Sequence, residues 1–239
     1  HTLRVNKPSL NQTLRPLHKK FAVALEYFFT RKGPLSMSIN QGGGFIKSHE
    51  GLDMPDLQLY FSPLSFSTSP EGKRPLMKPD PYPAVRLGFN LCKPTSKGRV
   101  EIYSPNALLP PKYYGNYLAT EEDRQGMVRG IRLMRKISGA PALRSLIIDE
   151  ESPGLDLESD EELLDFARGN ASTVFHQCGT CRMGRDPLMS VVDEKLRVRG
   201  IRSLRVADAS IFPTITSGNT NAASIMVGEK AADLVLADL

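Results

Sequence analysis

The sequence predicts an α+β fold, an antiparallel sheet flanked by helices and completed by a C-terminal strand–helix unit. Three observations carry this. Apolar residues alternate with period two at Leu57–Phe61, and Ala84–Leu91 and Gly98–Tyr103 read as two further strands. They recur at helical spacing within 16–33 and 120–148. After about residue 180 the chain turns to a buried strand pattern followed by a helix of small residues. At 239 residues there is material for one large or two small domains, and the change of character divides the chain into 1–180 and 181–239.

Each element has a local cause. Leu14-Arg15-Pro16-Leu17 sets a proline in a first helical turn. Phe21, Ala24, Leu25 and Phe28 then form one stripe, read as packed on a core, and Gly33-Pro34 stops the helix. Gly42-Gly43-Gly44-Phe45-Ile46 reads as a strand entered through glycines. A phosphate cradle is the weaker reading, because neither a Lys-Ser/Thr pair nor a helix follows, and a bulge or close backbone approach is the stronger. Ser67 to Pro83 forms a proline-rich loop. Lys93 to Lys97 is expected to join the strands at 84–91 and 98–103 as a hairpin-like turn. Thr120, with Glu121, Glu122 and Asp123 behind it, starts a helix whose stripe is Met127, Ile131, Met134 and Ile137. Ser159 caps another carrying Leu163, Leu164 and Phe166. Leu204–Ala207 reads as a buried strand, and Asn219-Thr220-Asn221 opens the last helix.

Composition excludes several function classes. Hydrophobic residues make up 40% and charged residues 24%, which is ordinary for a folded globular chain. No apolar run approaches the ~18–20 residues of a membrane span. The net charge of +5 hides nine acids and no Lys or Arg between Asp149 and Asp165, read as helix caps and a solvated face. The basic residues elsewhere are scattered without interleaved aromatics, so nucleic acid is not an expected partner. His1 to Pro8 carries no apolar leader segment, and three cysteines do not make a disulfide framework. The expected location is cytoplasmic or peripheral to a membrane.

Two polar clusters could carry chemistry: His176 to Gly184 and Ser217 to Asn221. Cys178 and Cys181 form a C-x-x-C pair, but zinc needs about four ligands and no second pair exists, so no metal is expected. A thioredoxin-like site would place a helix after the first cysteine, where Gly184, Asp186 and Pro187 intervene. Haem attachment would need the histidine after the pair. Histidine is the side chain whose ordinary titration lies nearest neutrality, and Gly179 and Gly184 mark a tight loop that could present His176 as a base. Asn219 is read first as a helix cap. The same helix start offers N–H groups and a positive dipole end to an anion or electron-rich ring edge.

Phe175-His176-Gln177-Cys178-Gly179-Thr180-Cys181-Arg182-Met183-Gly184, then Val191-Val192-Asp193, Gly200 through Thr214, Asn219 through Ala223, and Gly228 through Asp233 resemble in order and spacing the C-terminal signature of the glucose–methanol–choline (GMC) oxidoreductases. Arg31 to Leu35, Gly44-Phe45-Ile46 and Pro55 to Gln58 resemble the substrate domain of the choline-dehydrogenase-like branch. The resemblance covers nearly the whole chain, most specifically after Thr173. It implies FAD as cofactor, a substrate-binding domain over 1–180, and a strand–helix unit over 181–239 belonging to the FAD-binding domain. The G-x-G-x-x-G fingerprint of the dinucleotide-binding half is absent. The implied partner is therefore that missing N-terminal half, and this chain alone is expected not to hold FAD tightly.

By the same resemblance, His176 takes the proton of a small-molecule alcohol while the carbon delivers hydride to flavin N5. Asn219 holds the substrate oxygen. Thr220, Asn221 and Ala222 lie near the flavin ring edge, and Asp208 and Ala209 near the FAD phosphates. His176 and Asn219 should then reach one shared substrate atom. A quaternary ammonium substrate calls for an aromatic cage. The chain has no Trp, so an ordinary primary alcohol is expected over choline. The alternative reading is a non-enzymatic fragment or binding module derived from the family.

Overall fold

The chain begins in a sheet strand, β1 (Thr2–Val5). Two helices follow, α1 (Leu10–Leu14) and α2 (Leu17–Thr30), then strands β2 (Gly42–Ile46), β3 (Leu57–Ser62), β4 (Phe66–Ser67), β5 (Lys78–Pro79), β6 (Ala84–Leu91), β7 (Arg99–Glu101) and β8 (Lys112–Tyr114). The remainder comprises α3 (Glu121–Ser138), α4 (Pro141–Arg144), β9 (Ile147–Ser152), α5 (Asp160–Asn170) and α6 (Thr220–Leu236). This computed structural model describes residues 1–67 and 78–238. Most of the proline-rich loop expected at 67–83 lies outside the described residues.

The chain divides into two compact units: His1–Asn90 with Gly126–Asn170, and Leu91–Gln125 with Ala171–Leu239. In the first, five strands form a sheet ordered β2-β3-β6-β1-β9. The β2–β3, β1–β6 and β1–β9 pairs run antiparallel, and β1 is central between β6 and β9. At the β2 edge the glycines serve close approach, because a Cβ on Gly43 would strike the carbonyl oxygen of Leu59. Leu3, Leu87 and Met134 bury together, which seats α3 on the sheet. A neighbouring flank of α3 packs Val128 and Ile131 against Leu163 and Ala167 of α5. Ser159 and Glu162 form the expected reciprocal cap at the start of α5.

Four expectations are corrected. The strand at 84–91 does not turn back on the next one. It lies between β3 and β1, so both its edges are taken, while β7 pairs with β8 through Arg99↔Tyr114 to Glu101↔Lys112. The helix expected over 120–148 ends at Ser138, and Gly139-Ala140-Pro141 breaks it. Residues 147–152 are β9, whose acids look unlike a strand. Glu150 is nevertheless buried, with Arg135 Nη2 at 3.1 Å from its Oε1. Burial pushes its carboxyl up, but the His1 ring 3.7 Å away and hydrogen bonds from Arg135 outweigh this and hold it below the usual range. The stripe of α2 expected to face a core is exposed, and the buried residue of that helix is Val23.

In the second unit the core is Val192, Leu196, Ile211, Phe212, Val227 and Ala231. It seats α6 against the turns of 192–212. Leu204–Ala207 is not a strand. Arg205 makes an isolated bridge to Arg197, and Leu204 is exposed. Asp123, in the first turn of α3, accepts from the backbone N–H groups of Thr95 and Ser96, both at 2.8 Å.

Candidate active site

The histidine loop is held from below by backbone bonds. Cys181 N donates to the Ser210 carbonyl at 3.0 Å, and Met183 N to the Ile211 carbonyl at 2.7 Å. Gly179 permits the turn with φ +89°, a conformation costly to any other residue. Phe175 is itself left-handed at φ +61°, and its N–H donates to Thr173 Oγ1 at 3.0 Å. A bulky aromatic in that region stores strain, here directly before His176. Thr173 Oγ1 also accepts from Gln177 Nε2 at 2.8 Å, so one threonine hydroxyl braces the turn on both sides of the histidine.

The half-buried imidazole is gripped at both nitrogens by the start of α6. Asn219 Nδ2 lies 2.7 Å from Nε2, and Thr220 Oγ1 lies 3.0 Å from Nδ1. An amide nitrogen only donates. In the neutral ring Nε2 is therefore the acceptor, and the proton resides on Nδ1, from which it donates to Thr220. The two contacts together select one tautomer and one ring orientation, with the Nε2 lone pair turned toward the exposed Asn219 amide.

Asn219 occupies the N-cap position of α6 yet makes no side-chain cap bond. Its amide reaches His176 instead, which is what separates it from an ordinary helix cap. Asn221 and Ala222 lie exposed in the first turn, and Thr220 is buried. The helix runs 17 residues, so its dipole is fully developed at this end. Asp208 is exposed and caps the short turn Ala209–Ile211, its Oδ1 accepting from Ser210 N at 2.8 Å. Ala209 is packed against the core of the second unit.

The structure thus brings His176 and Asn219 into contact, and puts the Thr220 hydroxyl on the ring nitrogen opposite Asn219. Sequence reasoning had grouped Thr220 with the flavin-facing turn. The available signal was its hydroxyl one position after the asparagine. Cys178 and Cys181 are free and partly buried, and burial raises the Cys178 thiol.

The GMC oxidoreductase family model matches residues 94–228. An alcohol dehydrogenase (acceptor) of Pseudomonas putida is 40% identical over 214 residues, which is 88% of this chain and 37% of that protein. An oxygen-dependent choline dehydrogenase of Vibrio vulnificus (strain YJ016) is 40% identical over 225 residues, 91% of this chain and 38% of that protein. Among solved structures, a formate oxidase superposes with TM-score 0.86 at 26% identity, over 99% of this chain and 45% of the other. The chain therefore spans little more than a third of the length of these curated relatives. A matching family model over more than half its residues and this shared architecture say the same thing: the chain belongs to the GMC oxidoreductase family.

Proposed function

We propose that this chain is the C-terminal portion of an FAD-dependent oxidoreductase that converts a primary alcohol to an aldehyde. Residues 1–180 would form the substrate-binding domain, and 181–239 would complete an FAD-binding domain whose N-terminal half lies outside this chain. The observation that carries the reading is the pair of contacts on His176, which leaves Nε2 as the acceptor beside a second polar side chain.

On binding, the substrate hydroxyl would replace the Asn219 N–H at the single Nε2 lone pair, and Nε2 would take its proton. The amide of Asn219 donates to the substrate oxygen without competing for that proton, so proton acceptor and oxygen anchor are separate groups. Thr220 holds the imidazole from behind, and as the ring becomes doubly protonated its Nδ1–H keeps the same partner. When bound, FAD would supply the acceptor for the hydride leaving the alcohol carbon. The residues present are compatible with it. The cap position of α6 is turned toward His176, so the first-turn N–H groups and dipole end beside Asn221 and Ala222 are available to an electron-rich ring edge. Asp208 and Ala209 would stand on the phosphate side.

The substrate reading is supported by the relatives, which include an alcohol dehydrogenase and choline dehydrogenases. The test uses the full-length protein. His176→Ala should slow anaerobic flavin reduction by a primary alcohol on the order of 10²–10⁴-fold, with flavin content unchanged. Reduction at the parental rate would remove His176 as the base.

A further inference from the structure

The loop that presents His176 is tied to a second loop of the same unit, the one between β8 and α3. Gln177, the residue after the histidine, has an amide nitrogen with two hydrogens to give. One goes to Thr173 Oγ1 at 2.8 Å, and the other reaches the Tyr117 hydroxyl oxygen at 3.4 Å. Tyr117 lies 60 positions from Gln177 in sequence, so the fold makes this contact and the local turn does not.

Both loops carry backbone strain where they meet. Six non-glycine residues among those described have φ in the left-handed region, and three of them are Asn116 at +49°, Leu118 at +56° and Phe175 at +61°. Two flank Tyr117 and the third precedes His176. Leucine and phenylalanine are costly there, since neither has the short polar side chain that bonds locally in that conformation. Burial within this chain does not offset the cost, because Tyr117 is 66% exposed and Phe175 81%. Polar contacts fix the Tyr117 turn from its own side. Asn116 Nδ2 donates to the Lys97 carbonyl at 2.9 Å, and Arg124 Nη1 donates to the carbonyls of Leu118 at 3.2 Å and Ala119 at 2.7 Å. The ring lies over Gly115, where a Cβ would come within 2.7 Å of a ring carbon. Tyr117 is therefore a fixed post beside the histidine loop. Strain that the surroundings hold in place, and that gathers at one spot, is a mark of a functional site.

We propose, resting on the reading of His176 as the base, that Tyr117 is a positioning residue for that base. Its hydroxyl anchors Gln177 and, through it, the peptide that joins Gln177 to His176. With the anchor in place, Phe175 stays left-handed and the imidazole stays between Asn219 and Thr220. Without it, Gln177 loses its bond to the second loop. Phe175 then relaxes toward an ordinary φ and carries the ring off its two partners. Thr173 cannot substitute, because both its contacts lie within four positions of itself. Thr173 shapes the turn, and Tyr117 places it.

The test uses the full-length protein and anaerobic reduction of its flavin by a primary alcohol. Tyr117→Phe removes the hydroxyl and keeps the ring. The limiting reduction rate should fall about tenfold while the half-saturating alcohol concentration stays within about twofold. Flavin content and melting temperature should stay parental. Hydroxide can take the proton that a misplaced base does not, so the deficit should narrow as pH rises toward ~10. Gln177→Leu removes the other half of the contact. The double variant should be no slower than Gln177→Leu alone, since both changes act through one bond. His176→Ala in the same assay separates the proposal from the reading beneath it. If that variant reduces at the parental rate, the base assignment fails and the positioning role falls with it. If it is slow while Tyr117→Phe keeps the parental rate, the positioning role alone fails. A Tyr117→Phe deficit that is constant with pH, that only tracks lost flavin, or that adds in full to Gln177→Leu would also overturn the proposal.

Discussion

Replacing Thr220 by valine removes one hydroxyl and keeps the shape of a buried side chain. That hydroxyl stands 3.0 Å from Nδ1 of His176, and what it is argued to do is hold the ring so that Nε2 faces Asn219. The variant leaves a ring N–H without its partner in a half-buried position, which costs on the order of 1–3 kcal/mol. At about 1.4 kcal/mol per tenfold, turnover should fall roughly 5- to 150-fold. KM should change little, since the hydroxyl touches the imidazole and not the substrate oxygen. Thr220→Ser restores the hydroxyl and should recover the rate to within about threefold, the remainder reflecting a freer rotamer. The assay is anaerobic stopped-flow reduction of the full-length protein's flavin by a primary alcohol, with flavin content and melting temperature measured alongside. If the valine variant reduces at the parental rate, the hydroxyl does not position the base. If serine fails to rescue while both variants lose flavin in parallel, the residue is structural and the positioning argument fails.

Asp123 is buried, and burial alone would push its carboxyl up, but hydrogen bonds from Ser96 and Thr95 outweigh that and hold it below the usual range. Its stabilisation is therefore present above the unfolded value near pH ~3.9 and lost as pH falls through the lower folded value. Asp123→Asn should cost on the order of 1–3 kcal/mol in urea unfolding at neutral pH, and the gap from the parent should close below pH ~4; a constant gap would contradict the assignment. At Gly130 a Cβ would collide with the Phe89 ring. Gly130→Ala sets a helix-propensity gain of about 1 kcal/mol against an overpacking cost of about 1–3, and should lower stability on balance by the same measurement.

Helix limits were readable because proline and glycine act locally. Pro16 and Gly33-Pro34 bracket α2, and Ser159 with Glu162 starts α5. Which face a helix buries was not readable, because periodicity reports that an apolar arc exists and not what covers it. That is why the stripe of α2 was assigned to a core it does not touch. β9 was hidden by its acids, since Glu150 is tolerated inside only through Arg135, which comes from another element. Leu204–Ala207 carries a strand-like pattern, but neighbouring backbone offers it one bridge and no ladder. At the site, the residue types and spacing pointed to His176 and Asn219. The tautomer depends on a distance between two side chains 44 positions apart, and no local pattern encodes that.

The pairing of β1 with β9 joins Thr2 to Ser152 across the whole first unit. During synthesis at about 5–20 residues per second, β1 emerges some 7–30 seconds before its partner exists. Until β6 is made both sides of β1 stand open, and from then until β9 emerges one side can be covered by β6 while the other presents unpaired N–H and C=O groups. A nascent chain in this state offers a strand-accepting edge to chaperones and to other unfinished copies alike. Translation speed between residues 90 and 150, where β9 is still to come, is therefore a lever on yield. Slowing it lengthens the exposed interval, and appending further sequence after β9 leaves it unchanged.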